Sequence, residues 1–516
     1  MRAAARAGKA GRSGGPGARV PARRHGHRQR RARRKAGGPV PTGRVARTMQ
    51  ARYRGAAASG IMAAPRGGDE RGRGDAGRGS TARGWGAVSL APDLATRPFW
   101  CDDADYPDSG AGAPPASTDV LIVGAGYTGL AAARETARAG RSTLVLDAGP
   151  VGGGCSARNG GQVAFSFKPE LEELAARHGA DIARRVFREG FEAIAELRAL
   201  ATGPGVDCGW RDSGSFYAAH TRRHFEDLCR ALEHQPAGFE QRVQVIEPAA
   251  LASATGSTFY HGGFVYPDDA ALHPLKLVGA YHARATAAGA RVLGHCRVLS
   301  LTRERGGFRA LTERGEVRAR QVLLATNGYT GPLSPWHRRR VIPIGSYIIA
   351  TEPLPRAQVE RLLPAGRNLG DTRRVVVYVR PSPDGTRVLF GGRAAAAESD
   401  ARACVPRLRA MLAEVFPELA TVGVSHAWMG FVAYTFDTLP HLGGSDGLFH
   451  CMGYCGQGVP HAGYYGRRIG LQMTGAPEGA TALDGLEFQT RPLYTGRPWF
   501  LPAAILGYRL RDRLGW

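Results

Sequence analysis

The chain has 516 residues, 43% of them hydrophobic, a formal net charge of +25 and eight cysteines. That length allows two or three domain-sized units with ample burial, and no apolar run reaches the about 18 residues that would suggest a membrane span. The cysteines are scattered without C-x-x-C or zinc-ligand spacing, which excludes a disulfide-dense scaffold and a zinc module and fits reduced thiols in a cytoplasmic protein.

The charge is unevenly placed. Residues 1–84 carry 22 Lys plus Arg against 3 Asp plus Glu, so +19 of the +25 sits there and the remaining 432 residues carry only +6. A segment of Arg, Gly and Ala such as Arg28 to Lys35 cannot bury a core, so residues 1–90 are read as a disordered basic arm. It admits three readings: a tail for nucleic acid or anionic membrane, an Arg-rich targeting segment, or an extension without function upstream of Met49 or Met62. The last is preferred. Arg and Gly interrupt every early apolar run, so no secretory signal is evident.

Residues 119–162 organise the rest. Asp119-Val-Leu-Ile-Val reads as a strand buried on both faces. Gly124, Gly126 and Gly129 follow at G-x-G-x-x-G spacing, with Tyr127 and Thr128 among them. An alanine-rich helix runs from Leu130 to Ala139, where Gly140 can terminate it. A second strand, Thr143-Leu-Val-Leu, ends on Asp147 and Ala148. In this unit Gly124 permits the turn, Gly126 lets backbone approach a pyrophosphate, and Gly129 lets the helix pack close to the strand. The helix N-terminus offers N–H groups to the phosphates, and Asp147 stands where a carboxylate accepts from a ribose. The stretch Gly149 to Gln162 is a second glycine-rich loop holding the fixed polar groups Ser156, Arg158, Asn159 and Gln162 beside Gly160 and Gly161. A loop placed straight after the ribose acid suits an extended ligand, so the expected dinucleotide is FAD rather than NAD.

Leu171 to Leu200 reads as helical, Trp210 to Ala218 as a strand, and Arg222 to His234 as a helix. Asp268, Asp269 and His273 suggest a metal site or an acid–base group, or else a turn and helix cap before Leu275 to Ala288. The cap is preferred and no metal is assigned. Arg291 to Leu301 and Gln321 to Ala325 are strands flanking a hairpin region over 303–316. Thr326-Asn327-Gly328 follows the second strand, where open α/β sheets place ligands. Ile342 to Thr351, Val375 to Val379 and Arg387 to Gly391 are strands, the last two joined by the turn Pro383-Asp384-Gly385. Arg407 to Phe416 is a helix with Pro406 in its first turn. Tyr347, Tyr378, Arg380 and Arg393 project from these strands. Gly453, Gly456, Gly458 and Val459 lead into a last long helix, and glycines at a helix start suit an electron-rich ligand edge.

Together, Val-Gly-Ala-Gly-Tyr-Thr-Gly-Leu, the Ser156 to Gln162 segment, YHGG at 260–263, LHPLKL at 272–277, ATNGYT at 325–330, SYIIATEPL at 346–354, the 379–393 stretch and GYCGQGV at 453–459 resemble the D-amino-acid-oxidase-like family of flavin amine oxidoreductases. The resemblance runs from about residue 95 to 516, and its nearest branch is the gamma-glutamylputrescine oxidoreductases. It implies an α/β fold: a discontinuous Rossmann-like FAD-binding domain with an antiparallel β-sheet substrate domain, as in glycine and sarcosine oxidases. The parts are assigned as 117–205, 256–335 and 425–475 to the FAD domain, 206–255 as a substrate-domain insertion, 336–424 as the substrate domain and 476–516 as a tail. By the resemblance, the backbone of Val298 meets the adenine and Arg393 lies beside the flavin. Cys455 and Gln457 stand where the family more often has Ser and His. Arg393, Tyr347 and Gln457 are therefore the expected catalytic positions, and Tyr378 and Arg380 the expected substrate contacts.

The implied reaction sets an amine C–H over flavin N5, transfers hydride, and lets water hydrolyse the imine to an aldehyde. No convincing Ser-His-Asp or Cys-His triad competes with this reading. The partners expected are a small-molecule amine, such as a polyamine derivative, and oxygen or another electron acceptor. FAD is expected to be non-covalent, with Cys155 and Cys455 as packed thiols in its loops. The alternative is a flavin enzyme for D-amino acids or N-methylglycine, passing electrons to a carrier, with Arg380 clamping the carboxylate. A third reading, a nucleic-acid-associated protein driven by the basic arm, is disfavoured.

Overall fold

The structure is a computed structural model and describes residues 93–395 and 398–515. The expected basic arm over 1–90 lies outside the described residues. Two eight-stranded sheets carry the rest.

The first sheet is built on Ser117–Val123. That strand pairs in parallel with Gly315–Leu324 on one side and with Thr143–Leu146 on the other. Arg291–Leu293 and Leu448–Met452 extend the parallel set outward, and His441–Ser445 closes one edge antiparallel. The centre is apolar on both faces because both are covered. Val120 and Ile122 pack toward the helices, while Leu121 and Val123 pack against Phe308, Ala310 and Val317 of an antiparallel ribbon, Val298–Glu304, Gly307–Thr312 and Gly315–Leu324. Three helices lie together on the other face: Tyr127–Arg138, Pro274–Ala287 and Gly458–Thr474. The first and last approach closely at Gly466 and Gly470. A Cβ on Gly466 would meet the Thr128 carbonyl at 2.5 Å, and one on Gly470 the Ala132 carbonyl at 2.8 Å.

The second sheet runs in the order Val424–Tyr434, Ile342–Thr351, Val388–Gly392, Val377–Pro381, Asn368–Asp371, Ser215–Ala218, Gly263–Tyr266 and Gln244–Ile246. It is antiparallel except where Asn368–Asp371 runs parallel to Ser215–Ala218. Helix Ala401–Val415 covers one face, burying Val405, Leu408 and Leu412 with Tyr347, Ile349 and Phe390. The alternate residues Ile348, Ala350 and Trp428 join the core of the first sheet instead, so one sheet serves two cores.

Several expectations shift. Gly263–Tyr266, expected with the FAD domain, pairs with Ser215–Ala218 in the second sheet, and Val424–Tyr434 pairs along Ile342–Thr351 rather than rejoining the first. Helix 171–200 is two helices, Leu171–His178 and Ala180–Ala201, broken at Gly179 with φ +90°. Helix Ala401–Val415 begins earlier than expected and holds Pro406 in its interior. The cap of Pro274–Ala287 is His273, whose Nδ1 accepts from the Lys276 amide at 3.1 Å. Its Nε2–H therefore donates to Asp103, 2.7 Å away. Asp268 pairs with Arg242 on the surface and Asp269 accepts from Ser215, so these acids and His273 form no common site.

Candidate functional site

A cavity of about 840 Å³ opens at the carboxyl ends of Ser117–Val123 and Gly315–Leu324, and the second sheet closes it. This is the crevice at which the strand order reverses on either side of Ser117–Val123. Gly124, Gly126, Tyr127 and Thr128 line it beside Asp147 and Ala148. Gly124 sits at φ +107°, a region that penalises a side chain, and a Cβ there would lie 2.7 Å from the Ala325 carbonyl. Gly129 does not face the cavity. Its Cβ would overlap the Gly124 carbonyl, so its absence lets the helix seat against the turn. Asp147 accepts from the amides of Ala125 (2.8 Å) and Gly149 (3.0 Å). Burial nevertheless raises its pKa, with those two amides opposing.

The loop over 149–162 is braced at almost every polar group. The Ser156 hydroxyl accepts from the Tyr127 amide at 3.1 Å. Arg158 donates to the Gly153 carbonyl at 2.7 Å and the Met429 carbonyl at 3.2 Å, and its own carbonyl accepts from the Trp428 indole at 2.9 Å. Asn159 Oδ1 accepts from the Gly161 amide at 2.8 Å, and the Asn159 carbonyl accepts from the Trp100 indole at 2.9 Å. Gln162 donates to the Val379 carbonyl at 3.1 Å. Ser156, Arg158, Asn159, Gly160 and Gln162 line the cavity, while Gly161 (φ +66°) lies behind it against Leu272 and Arg380.

On the opposite wall are Val298, Thr326, Asn327, Gly456, Gly458 and Val459. Gly328 and Gly453 stand behind them. A Cβ on Gly328 would press the Phe431 carbonyl at 2.9 Å, and Gly453 donates its amide to Asn327 Oδ1 at 2.9 Å. Cys155 and Cys455 line the cavity as free thiols, and burial pushes both up to about 11. Backbone edges, glycines and a helix N-terminus make a long cradle, and a Cβ on Gly126 would press the Ser156 hydroxyl at 2.8 Å and one on Gly160 the Tyr378 ring at 3.3 Å, so bare backbone lines the wall there, which fits an extended dinucleotide.

The end walled by the second sheet carries Ser346, Tyr378, Arg393, Tyr434 and Lys168. The Tyr378 and Ser346 hydroxyls are 2.9 Å apart. Arg393 donates to the Gly345 carbonyl at 2.6 Å and to Glu398 at 2.9 Å. Lys168 keeps surface open to the cavity but has protein on every side, and that enclosure lowers its pKa to about 8. The sequence offers a signal for it: it is one of only four lysines among 69 Lys and Arg. Ser346 and Tyr434 carry no such mark.

Three expected positions lie elsewhere. Tyr347 points through the sheet to the helix side, where its hydroxyl accepts from the Ser399 amide at 2.9 Å; successive strand residues face opposite ways, so its neighbour Ser346 is the one in the cavity. Arg380 is buried with its donors on the carbonyls of Gly160 (2.9 Å), Leu272 (2.8 Å) and Pro381 (3.2 Å), its plane 5.3 Å from the Trp100 ring. Burial, with Arg211 adding to it, lowers its pKa to about 9, and it anchors the glycine loop rather than lining the cavity. Gln457 caps the last helix and donates to Ser166 at 2.5 Å, outside the cavity wall.

Known proteins agree with this architecture. The family model of FAD dependent oxidoreductases (DAO) matches residues 119–470. A probable oxidoreductase OrdL of Rhizobium meliloti is 32% identical over 77% of this chain and 92% of its own. Gamma-glutamylputrescine oxidoreductase of Escherichia coli is 29% identical over 77% of this chain and 93% of its own. The glycine oxidase structure from Geobacillus kaustophilus superposes with a TM-score of 0.60 at 20% identity, covering 73% of this chain and 99% of that one. No helix among the described residues is long and apolar enough to cross a membrane. With its glycine turn, braced second loop and sheet-covered cavity inside the matched region, the chain belongs to the DAO family of FAD-dependent oxidoreductases and is a flavoenzyme.

Proposed function

We propose that this enzyme oxidises the C–N bond of an amine that also carries a carboxylate, a polyamine derivative of the gamma-glutamylputrescine kind, to an imine that water hydrolyses to an aldehyde. The observation that carries the reading is that two cations, Lys168 and Arg393, the latter ion-paired with Glu398, line the cavity beside Tyr378, Tyr434 and Ser346. Positive charge there does two things. It attracts a substrate carboxylate, and it disfavours the ammonium form of the reacting amine, so the amine binds neutral with its lone pair available. Bound FAD accepts the hydride that this oxidation releases. The Gly124–Thr128 turn, Asp147, Ser156 to Gln162 and the Gly456–Val459 backbone would hold the cofactor. Similarity to a gamma-glutamylputrescine oxidoreductase over 77% of the chain supports the substrate class.

The test is an absorbance titration without oxygen, adding gamma-glutamylputrescine, putrescine, sarcosine and D-alanine in turn. Bleaching of the flavin bands by gamma-glutamylputrescine and not by putrescine, which lacks the carboxylate, is the expected result. Bleaching by sarcosine or D-alanine alone would replace the reading with an amino-acid oxidoreductase. Recovery of colour in air would mark an oxidase; colour that returns only with an added acceptor would mark a dehydrogenase.

A further inference from the structure

The four most exposed large apolar side chains among the described residues all fall in one stretch: Leu493 at 85%, Trp499 at 68%, Leu506 at 59% and Leu510 at 58%. The last two belong to helix Leu501–Leu514. That helix is firmly seated by its inner face. Leu501 and Ile505 are buried, and Asp512 accepts from the Arg374 amide at 2.7 Å and the Val375 amide at 3.0 Å. Its outer face is therefore not apolar for want of a fold to pack on. There Leu506, Leu510 and Leu514 stand one turn apart in a single stripe.

The flanks of the stripe select the occupant. By helical phase Arg511 borders it on one side and Arg513 on the other, both exposed, while the helix's single acid, Asp512, is turned inward. A second copy meeting this face would bring arginine rows together. A bilayer with anionic headgroups accepts the leucines at the headgroup boundary and neutralises the arginines, and an exposed tryptophan just before the helix suits the same depth. We infer that helix Leu501–Leu514 docks the enzyme in the plane of an anionic lipid surface, through Leu506, Leu510 and Leu514 flanked by Arg511 and Arg513.

The experiment is flotation of the full-length flavoprotein with vesicles of equal parts phosphatidylglycerol and phosphatidylcholine, and with phosphatidylcholine alone. The comparison protein is L506E/L510E, which alters only exposed positions and keeps residues 1–92, so binding by that basic segment is common to both. The expected result is binding to the anionic vesicles that weakens by about tenfold or more in the variant, with flavin content and melting temperature unchanged. Equal binding by parent and variant, or no binding by the parent, would overturn the assignment. So would a parent dimer in sedimentation that the variant abolishes, which would give the face to a second copy.

Discussion

Each residue at the cavity's cationic end has a separable job. If Lys168 and Arg393 hold a substrate carboxylate, then Lys168 must be protonated to do it. Its pKa of about 8 then places a fall in kcat/KM above that pH, and Lys168→Met should remove the fall while lowering kcat/KM at neutral pH by about tenfold or more, a charge-assisted bond being worth roughly 1.5–3 kcal/mol. A pH profile of both proteins decides it. Arg380 predicts a different signature. It ties Gly160 to Leu272 and Pro381, so Arg380→Met should raise FAD release, read as flavin fluorescence in the filtrate, while turnover per bound flavin changes little. For Tyr347, whose hydroxyl serves Ser399 and Glu398 on the far side of the sheet, Tyr347→Phe should leave kcat within about twofold, since it reaches the cavity only through Glu398, the partner of Arg393.

Among the elements, what was legible from sequence was what is local. Strand, glycine turn, helix and acid at 119–147 lie within a single βαβ unit, so spacing alone disclosed them, and the brace-bearing polar groups of 156–162 stood out against their glycines. The second sheet hid its side-chain parity. Ile342–Thr351 is covered on both faces, so no polar alternation shows which of Ser346 and Tyr347 points inward. Arg380 was opaque for another reason: the carbonyls of Gly160 and Leu272 that it serves are 220 and 108 residues away. The close helix pair carries no motif of its own beyond the helical spacing of Gly466 and Gly470. Either glycine replaced by valine would drive a side chain into the backbone of helix Tyr127–Arg138. Gly466→Val should cost about 1–3 kcal/mol in urea unfolding and weaken FAD retention, since that helix begins at the glycine turn.

At the scale of the molecule, one buried carboxyl opposes stability at neutral pH. Glu189 on helix Ala180–Ala201 accepts from the Ala482 amide and from Tyr465, and burial lifts its pKa from 4.5 to about 7. A raised carboxyl favours the fold while protonated, so its contribution is present below about pH 4.5 and is lost as pH rises through 7. Glu189→Gln keeps both partners without the charge. Its melting temperature should pull ahead of the parent's between those pH values and hold its lead above them, by an amount equivalent to about 3 kcal/mol. The segment 1–84 should matter to none of this: its deletion is expected to leave flavin binding and turnover unchanged, as measured with the amine that bleaches the cofactor.

The loop at 156–162 is stitched to Trp100, Leu272, Val379 and Trp428, with Asn159 and Arg158 supplying two of the carbonyls and Arg380 bridging a third. During synthesis the glycine motif leaves the ribosome long before Trp428 and the Gly456–Val459 backbone exist. A nascent chain therefore owns its fingerprint early and its finished seat late. Flavin loading is then expected late, and truncation before Trp428 should leave a nucleotide motif without its brace or the Gly456–Val459 wall.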